Sequence, residues 1–186
     1  MAGGFKSLKG QLLLDGGKLA GSYFHRTVVL ICHHDADGAF GLVLNRKAEA
    51  RVGDVLIANM PEILSEYPIF LGGPVQPTAL SYLHSDEFLP NANIMPNLSV
   101  GHSLDELIEI GESIKDSTKL RVFAGYAGWS PGQLDDEMRR KAWLTHPATV
   151  DLIFTPEPEK LWQYIIRLKG PEYKLLAEAP EDLFWN

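Results

Sequence analysis

The stretch from residue 27 to residue 46 constrains this chain more than any other. Two apolar runs, 27–34 and 39–46, flank Asp37-Gly38, a dipeptide suited to turns that need positive φ, so the spacing predicts a β-hairpin. On the first arm Thr27, Val29 and Ile31 fall on one face, and Val28, Leu30 and Cys32 on the other. Both faces are largely apolar, which predicts a strand buried on both sides.

Such a strand needs a substantial core, and 186 residues suffice for one domain that buries roughly 70% of its unfolded surface. No repeat, low-complexity tract or long linker interrupts the chain, so residues 1–186 read as a single domain. Further strands are predicted at 8–14, 68–71, 79–84 and 119–124, and a short helix at 52–59. Ser103-Leu104-Asp105-Glu106 reads as a capping box opening a helix whose stripe is Leu104, Leu107, Ile108 and Ile114. Ser130-Pro131-Gly132-Gln133 reads as a second one, with Pro131 at the first helical position. A last helix runs from Thr155-Pro156 to about Lys169 and stops at Gly170-Pro171. Hairpins mixed irregularly with helices predict an α+β fold with a mixed sheet.

The net charge of −7 argues against broad nucleic-acid binding, which rests on neutralising phosphates. Two basic clusters, Arg46-Lys47 with Arg51 and Arg139-Arg140-Lys141, form no continuous stripe. The longest clearly apolar run, Val28 to Cys32, falls far short of the about 18 residues of a membrane span. No secretory signal is read at the N-terminus, and the lone cysteine, Cys32, fits a reducing compartment. The expectation is a cytoplasmic protein with no membrane association and no cofactor.

Four stretches carry a family likeness: Arg26 through Cys32-His33-His34 and on through Gly41 to Asn45-Arg46; Phe70-Leu71-Gly72-Gly73-Pro74-Val75; Phe123 through Gly125-Tyr126-Ala127-Gly128-Trp129 to Gly132-Gln133-Leu134; and Ala142-Trp143-Leu144 leading to Pro147-Ala148. In that order they resemble the AlgH/YqgE family across nearly the whole chain. The resemblance implies a bifurcated sheet with a small closed or nearly closed barrel, surrounded by helices. It brings no catalytic motif, and such proteins are often labelled transcriptional regulators. Two departures are visible. Leu14-Asp15-Gly16-Gly17 stands where family members often show an apolar-Ala-x-Pro segment, and Lys47 where they often place a proline. Both fall at strand ends and bear on local turn geometry.

Several motifs invite chemistry. Gly128-Trp129-Ser130-Pro131-Gly132 matches a nucleophile elbow, yet the residue after the serine is a proline with no N–H for an oxyanion hole. Cys32 is the one candidate reactive thiol. The resemblance commonly carries a Cys-x-His at this place, and on a regular strand Cys32 and His34 share a face, where the imidazole would favour thiolate. Their Cα atoms would stand about 6.6 Å apart, which is loose for a nucleophile and its base. The competing reading of Cys32 is a small buried hydrophobe. His33 and His34 point to opposite faces, and no H-E-x-x-H, C-x-x-C or H-x-H is present, so no metal site is read. Gly72, Gly73, Gly125, Gly128 and Trp129 form a candidate ligand or partner surface; strand-end turns and close backbone packing compete with that reading. Trp162 belongs with Leu161, Ile165 and Leu168 on a buried helical stripe, while Phe184-Trp185 is expected to be partly exposed.

The leading expectation is therefore a non-catalytic binding or regulatory module that contacts a protein partner or small ligand. The alternatives are a thiol-dependent enzyme using Cys32 with His34, and a transcriptional regulator contacting DNA directly.

Overall fold

The computed structural model describes residues 5–180. In chain order these form β1 (Gln11–Asp15), β2 (Val28–Asp35), β3 (Gly38–Val43), β4 (Lys47–Arg51), α1 (Val52–Val55), α2 (Glu62–Ser65), β5 (Pro68–Leu71), β6 (Val75–Ser85), β7 (Leu98–Gly101), α3 (Leu104–Glu112), β8 (Lys119–Trp129), α4 (Gln133–Arg139), β9 (Trp143–Pro147), α5 (Val150–Ile153), α6 (Leu161–Leu168) and α7 (Lys174–Glu178). Short 3₁₀ turns, Pro158–Lys160 and Pro171–Tyr173, precede α6 and α7.

The strands make one mixed sheet in the order β4-β5-β8-β3-β2-β1-β9, with β6 and β7 branching from β8. The branch lies inside β8. Residues 119–124 run between parallel β5 and antiparallel β6, whereas 127–129 pair with β3. The change of partner falls at Gly125, φ +73°. The sequence places the strand's end at 124; the chain instead continues to Trp129 because a second partner takes over. The ladder ends openly at β4 and β9, so the sheet bifurcates without closing, and the barrel expectation is corrected. Edge strand β4 exposes Lys47, Glu49 and Arg51 in alternation, charges that discourage pairing with a foreign strand.

The hairpin of β2 and β3 forms as expected and lies inside the sheet. Val28, Leu30 and Cys32 join one core with Leu12, Leu14, Trp162, Ile165 and Ile166. Val29 and Ile31 join a second with Leu13, Trp129, Leu134 and Trp143. A third, around Val52, Leu64, Ile69, Tyr82 and Leu107, fills the β5–β6 end. Arg121, 8% exposed, reaches through the interior to donate to the carbonyls of Ile153 (2.8 Å) and Thr155 (2.6 Å). It thereby satisfies acceptors at the C-terminal end of α5 that the helix leaves without partners. Burial lowers its guanidinium pKa to about 10.

Local expectations fail where a tertiary contact competes with a sequence motif. Ser103 accepts from the Glu106 N–H as a cap should (3.3 Å), but the Glu106 carboxylate turns to accept from the Tyr82 hydroxyl (3.0 Å). Helix α4 starts at Gln133, with Pro131-Gly132 in a turn; the Gln133 side chain accepts from the Ser130 N–H, so half of the second box survives. The helix placed at 52–59 is a single turn that stops at Val55, with Ile57 fully exposed; a second turn, α2, follows only beyond Pro61. In the last helix, which begins at Leu161, Trp162 is core as expected, while Leu168 faces out. Phe184-Trp185 lies outside the described residues.

Candidate functional site

Cys32 and His34 are not brought together. The register of β2 against β3 shifts between Ile31 and His33: Ile31 faces Gly41 and His33 faces Phe40, so Cys32 is an extra residue. A bulge of this kind reverses the facing of everything beyond it. Cys32 stays in the first core, while His34 pairs with Ala39, which packs on the second. Burial pushes the thiol pKa up, away from thiolate. The His34 ring accepts the Leu8 N–H at Nδ1 (3.0 Å), has Nε2 3.7 Å from Asp135 Oδ2, and meets the edge of Phe5. A thiol reagent is expected to label Cys32 only as fast as the protein unfolds; rapid labelling under native conditions, followed by mass spectrometry, would refute this.

A different nucleophile–base pair does meet: Ser81 Oγ and His102 Nδ1 are 3.0 Å apart. The two residues are 21 positions apart, so no local spacing announces them, and Ser81 is 1% exposed. Among the described residues no group of three or more His, Cys, Asp or Glu side chains is placed to hold a metal ion. Likewise, no helix is long and apolar enough to cross a membrane.

The candidate glycines separate into two groups. Gly72, Gly73 and Gly125 pack backbone on backbone: a Cβ on Gly72 would lie 2.3 Å from Gly125 O, and one on Gly73 2.1 Å from Tyr126 C and O. That space is filled by the chain itself, which leaves no open cradle. Gly128 and Trp129 lie elsewhere, on the wall of a cleft of about 410 Å³.

This cleft forms where β8 ends, β9 begins and the loop between β1 and β2 folds over both. Trp129 and Trp143 sit at the two ends of α4, and both indole N–H groups donate to Glu137 Oε2, at 2.9 and 2.8 Å. Glu137 Oε1 takes the Gln133 amide (3.1 Å). One carboxylate thus satisfies two indoles that would otherwise be buried with unmet donors. Phe24 completes the cluster, with its ring centroid 6.3 Å from Trp129 and 5.5 Å from Trp143. The indoles are 7% and 4% exposed, so they are fixed walls, and Phe24 and Leu19 supply the half-buried apolar lining. Exposed Lys18 and Arg140 stand on the rim. The sequence shows Trp129 and Trp143 flanking one helix; Glu137 as their shared acceptor has no sequence signal beyond its place on that helix.

A model of the AlgH-like family matches residues 12–174. The chain belongs to the AlgH-like family. This AlgH-like chain is 37% identical over 175 residues to a "UPF0301 protein" of Chlorobium luteolum, covering 92% of the chain and 91% of that protein. It is 33% identical over 180 residues to one of Chlamydia felis, covering 96% and 95%. Its fold is similar to the solution structure of the AlgH protein from Pseudomonas aeruginosa (TM-score 0.72, 31% identity, 97% and 99% of the two chains). A crystal structure of a Corynebacterium diphtheriae protein, 21% identical, shares the fold with a TM-score of 0.77 over 94% of each chain.

Proposed function

We propose that this AlgH-like protein is a non-catalytic binding module that receives an acidic segment of a protein partner in the Phe24–Trp129–Trp143 cleft. The observation that carries the reading is the convergence of both indole N–H groups on Glu137, which fixes the aromatic walls before anything binds. Preorganised aromatic anchors are where interface energy concentrates, because little side-chain entropy is lost on association. Phe24 and Leu19 offer contact to an apolar or aromatic side chain. Lys18 and Arg140 on the rim favour carboxylates beside it, despite the chain's net charge of −7.

The same reading places the protein in the cytoplasm, in keeping with its single cysteine. Any effect on transcription would run through the partner. Direct DNA contact is disfavoured because the chain carries a net charge of −7 and Arg139 is already paired with Asp136.

The test is capture from the host lysate after nuclease treatment, with the wild type compared against Lys18→Glu combined with Arg140→Gln. A stoichiometric protein partner is expected on the wild type, and its affinity should fall about tenfold in the variant at unchanged melting temperature. Equal retention by the variant, or no stoichiometric partner on the wild type, would sink the reading.

A further inference from the structure

On the far side of the same β1–β2 loop lies a second cleft, of about 530 Å³, within the size range of small-molecule sites. We infer that it binds a small phosphate monoester through the guanidinium groups of Arg26 and Arg46. The inference does not depend on the partner-docking reading, because the two clefts have different linings.

Charge is the first argument. Neither Arg26 nor Arg46 forms an ion pair within the described residues. Arg26 Nη2 donates to the carbonyls of Ala179 (2.6 Å) and Pro180 (3.4 Å), and Arg46 Nη2 to that of His25 (3.1 Å). Among the described residues both positive charges therefore lack a paired counter-charge, at one cleft of an acidic chain. Arg26 Nε is in addition a buried donor with no acceptor among the described residues. Lys160 adds a third cation to the wall, although Glu157 already pairs with it.

Orientation is the second. The Arg26 guanidinium lies 4.9 Å over the Trp162 ring and that of Arg46 4.5 Å over Tyr23. A guanidinium held over a ring face is fixed in place, and its N–H groups not taken by these carbonyls can make the contacts that suit phosphate oxygens. The third argument is preorganisation. Arg26 holds φ +53°, a conformation uncommon outside glycine. Two side chains clamp it there: Asp15 Oδ2 accepts its N–H (2.8 Å) and Asn45 Nδ2 donates to its carbonyl (2.9 Å). Strain held this firmly is characteristic of ligand clamps.

Two cations with no paired counter-charge among the described residues match a dianion better than a monoanion, which selects a monoester over a phosphodiester. Glu159, the carboxylate on the same wall, would repel a second acidic group but accept from a hydroxyl. The ligand class is accordingly a phosphorylated polyol or sugar.

The test follows the arginine Nε–Hε resonances of full-length protein by NMR during titration with inorganic phosphate and glucose 6-phosphate. Dimethyl phosphate and chloride at matched ionic strength serve as controls. Saturable shifts of the Arg26 and Arg46 signals are expected, with Kd on the order of 1 mM or tighter for glucose 6-phosphate. Arg46→Met should weaken binding about tenfold or more, and Arg46→Lys, which keeps the charge but loses the fork, should also weaken it. Absence of saturation, equal response to dimethyl phosphate or chloride, or unchanged affinity in Arg46→Lys and Arg46→Met would overturn the inference.

Discussion

Gly73→Ala is expected to fold but to melt far below the wild type. The added Cβ would lie 2.1 Å from the carbonyl carbon and oxygen of Tyr126 and 2.3 Å from the Ala127 nitrogen. These are backbone atoms of β8, the strand that joins the two arms of the sheet, so no side-chain rotation relieves the clash. Moving either strand would also disturb the neighbouring crossing, where Gly72 donates to the Ala124 carbonyl (2.9 Å) and Val43 to that of Gly72 (2.8 Å). A cost of about 3 kcal/mol or more, the upper end for core overlap, is expected where only backbone could give way, against a total stability of roughly 5–15 kcal/mol. That corresponds to a melting-temperature loss on the order of 10 °C for a chain of this size. Gly132→Ala is the control. It also carries a positive φ, +74°, but nothing lies within 4 Å of its Cβ, so only the left-handed strain of about 1 kcal/mol should appear. Equal thermal shifts for the two variants would show that conformation, not packing, fixes the glycine at 73.

This crossing illustrates what the sequence made legible. Val28 to Cys32 announces a two-sided strand because burial on both faces leaves a local signature, while the Asp37-Gly38 signal reads one residue late: the turn is Ala36-Asp37, and Gly38, φ +133°, opens β3 opposite Asp35. AlgH-like membership follows from motifs spread along the chain, and the family model bears it out. The branch of β8 at Gly125 is invisible locally, since the strand's second half exists only because β3 lies beside it. Edge strands β4, β7 and β9 are half-buried or exposed over most of their length, so they lack the apolar run that announces the equally short β1 and β5. At Cys32 a single bulge was enough to undo the pairing with His34, because side-chain facing in a strand depends on counting every residue. Of the candidate surface, Gly128 and Trp129 line an open cleft, whereas Gly72, Gly73 and Gly125 are taken up by the crossing. Both clefts depend on residues far apart in sequence, and both share the β1–β2 loop, whose organiser reads in the sequence only as a turn residue.

That organiser is Asp15, and its removal should disable both clefts at once. The side chain is fully buried. Its Oδ1 accepts from the N–H groups of Gly17 (2.8 Å) and Leu19 (3.2 Å), and its Oδ2 from that of Arg26 (2.8 Å), with His25 Nδ1 at 3.4 Å. Its backbone carbonyl holds the Trp162 indole N–H (2.9 Å). One carboxylate therefore sets the start of the loop bearing Lys18 and Leu19 and the strained end at Arg26. Asp15→Ala leaves three amide donors without that acceptor. At about 1–3 kcal/mol for each donor left unmet, reduced where water enters, the loss should come to about 3–5 kcal/mol. Asp15→Asn is the sharper variant. Its carbonyl oxygen can serve Gly17 and Leu19, but its NH₂ then opposes the Arg26 N–H, donor against donor. Asn should therefore lose less stability than Ala while releasing Arg26 from its positive φ. Thermal melts together with the arginine Nε–Hε titration separate the two effects: Asp15→Asn should stay folded and bind phosphate at least tenfold more weakly, the order expected for one misplaced charge-assisted contact. If Asp15→Asn binds phosphate as the wild type does, Asp15 only stabilises the loop, and the preorganisation of Arg26 has another source.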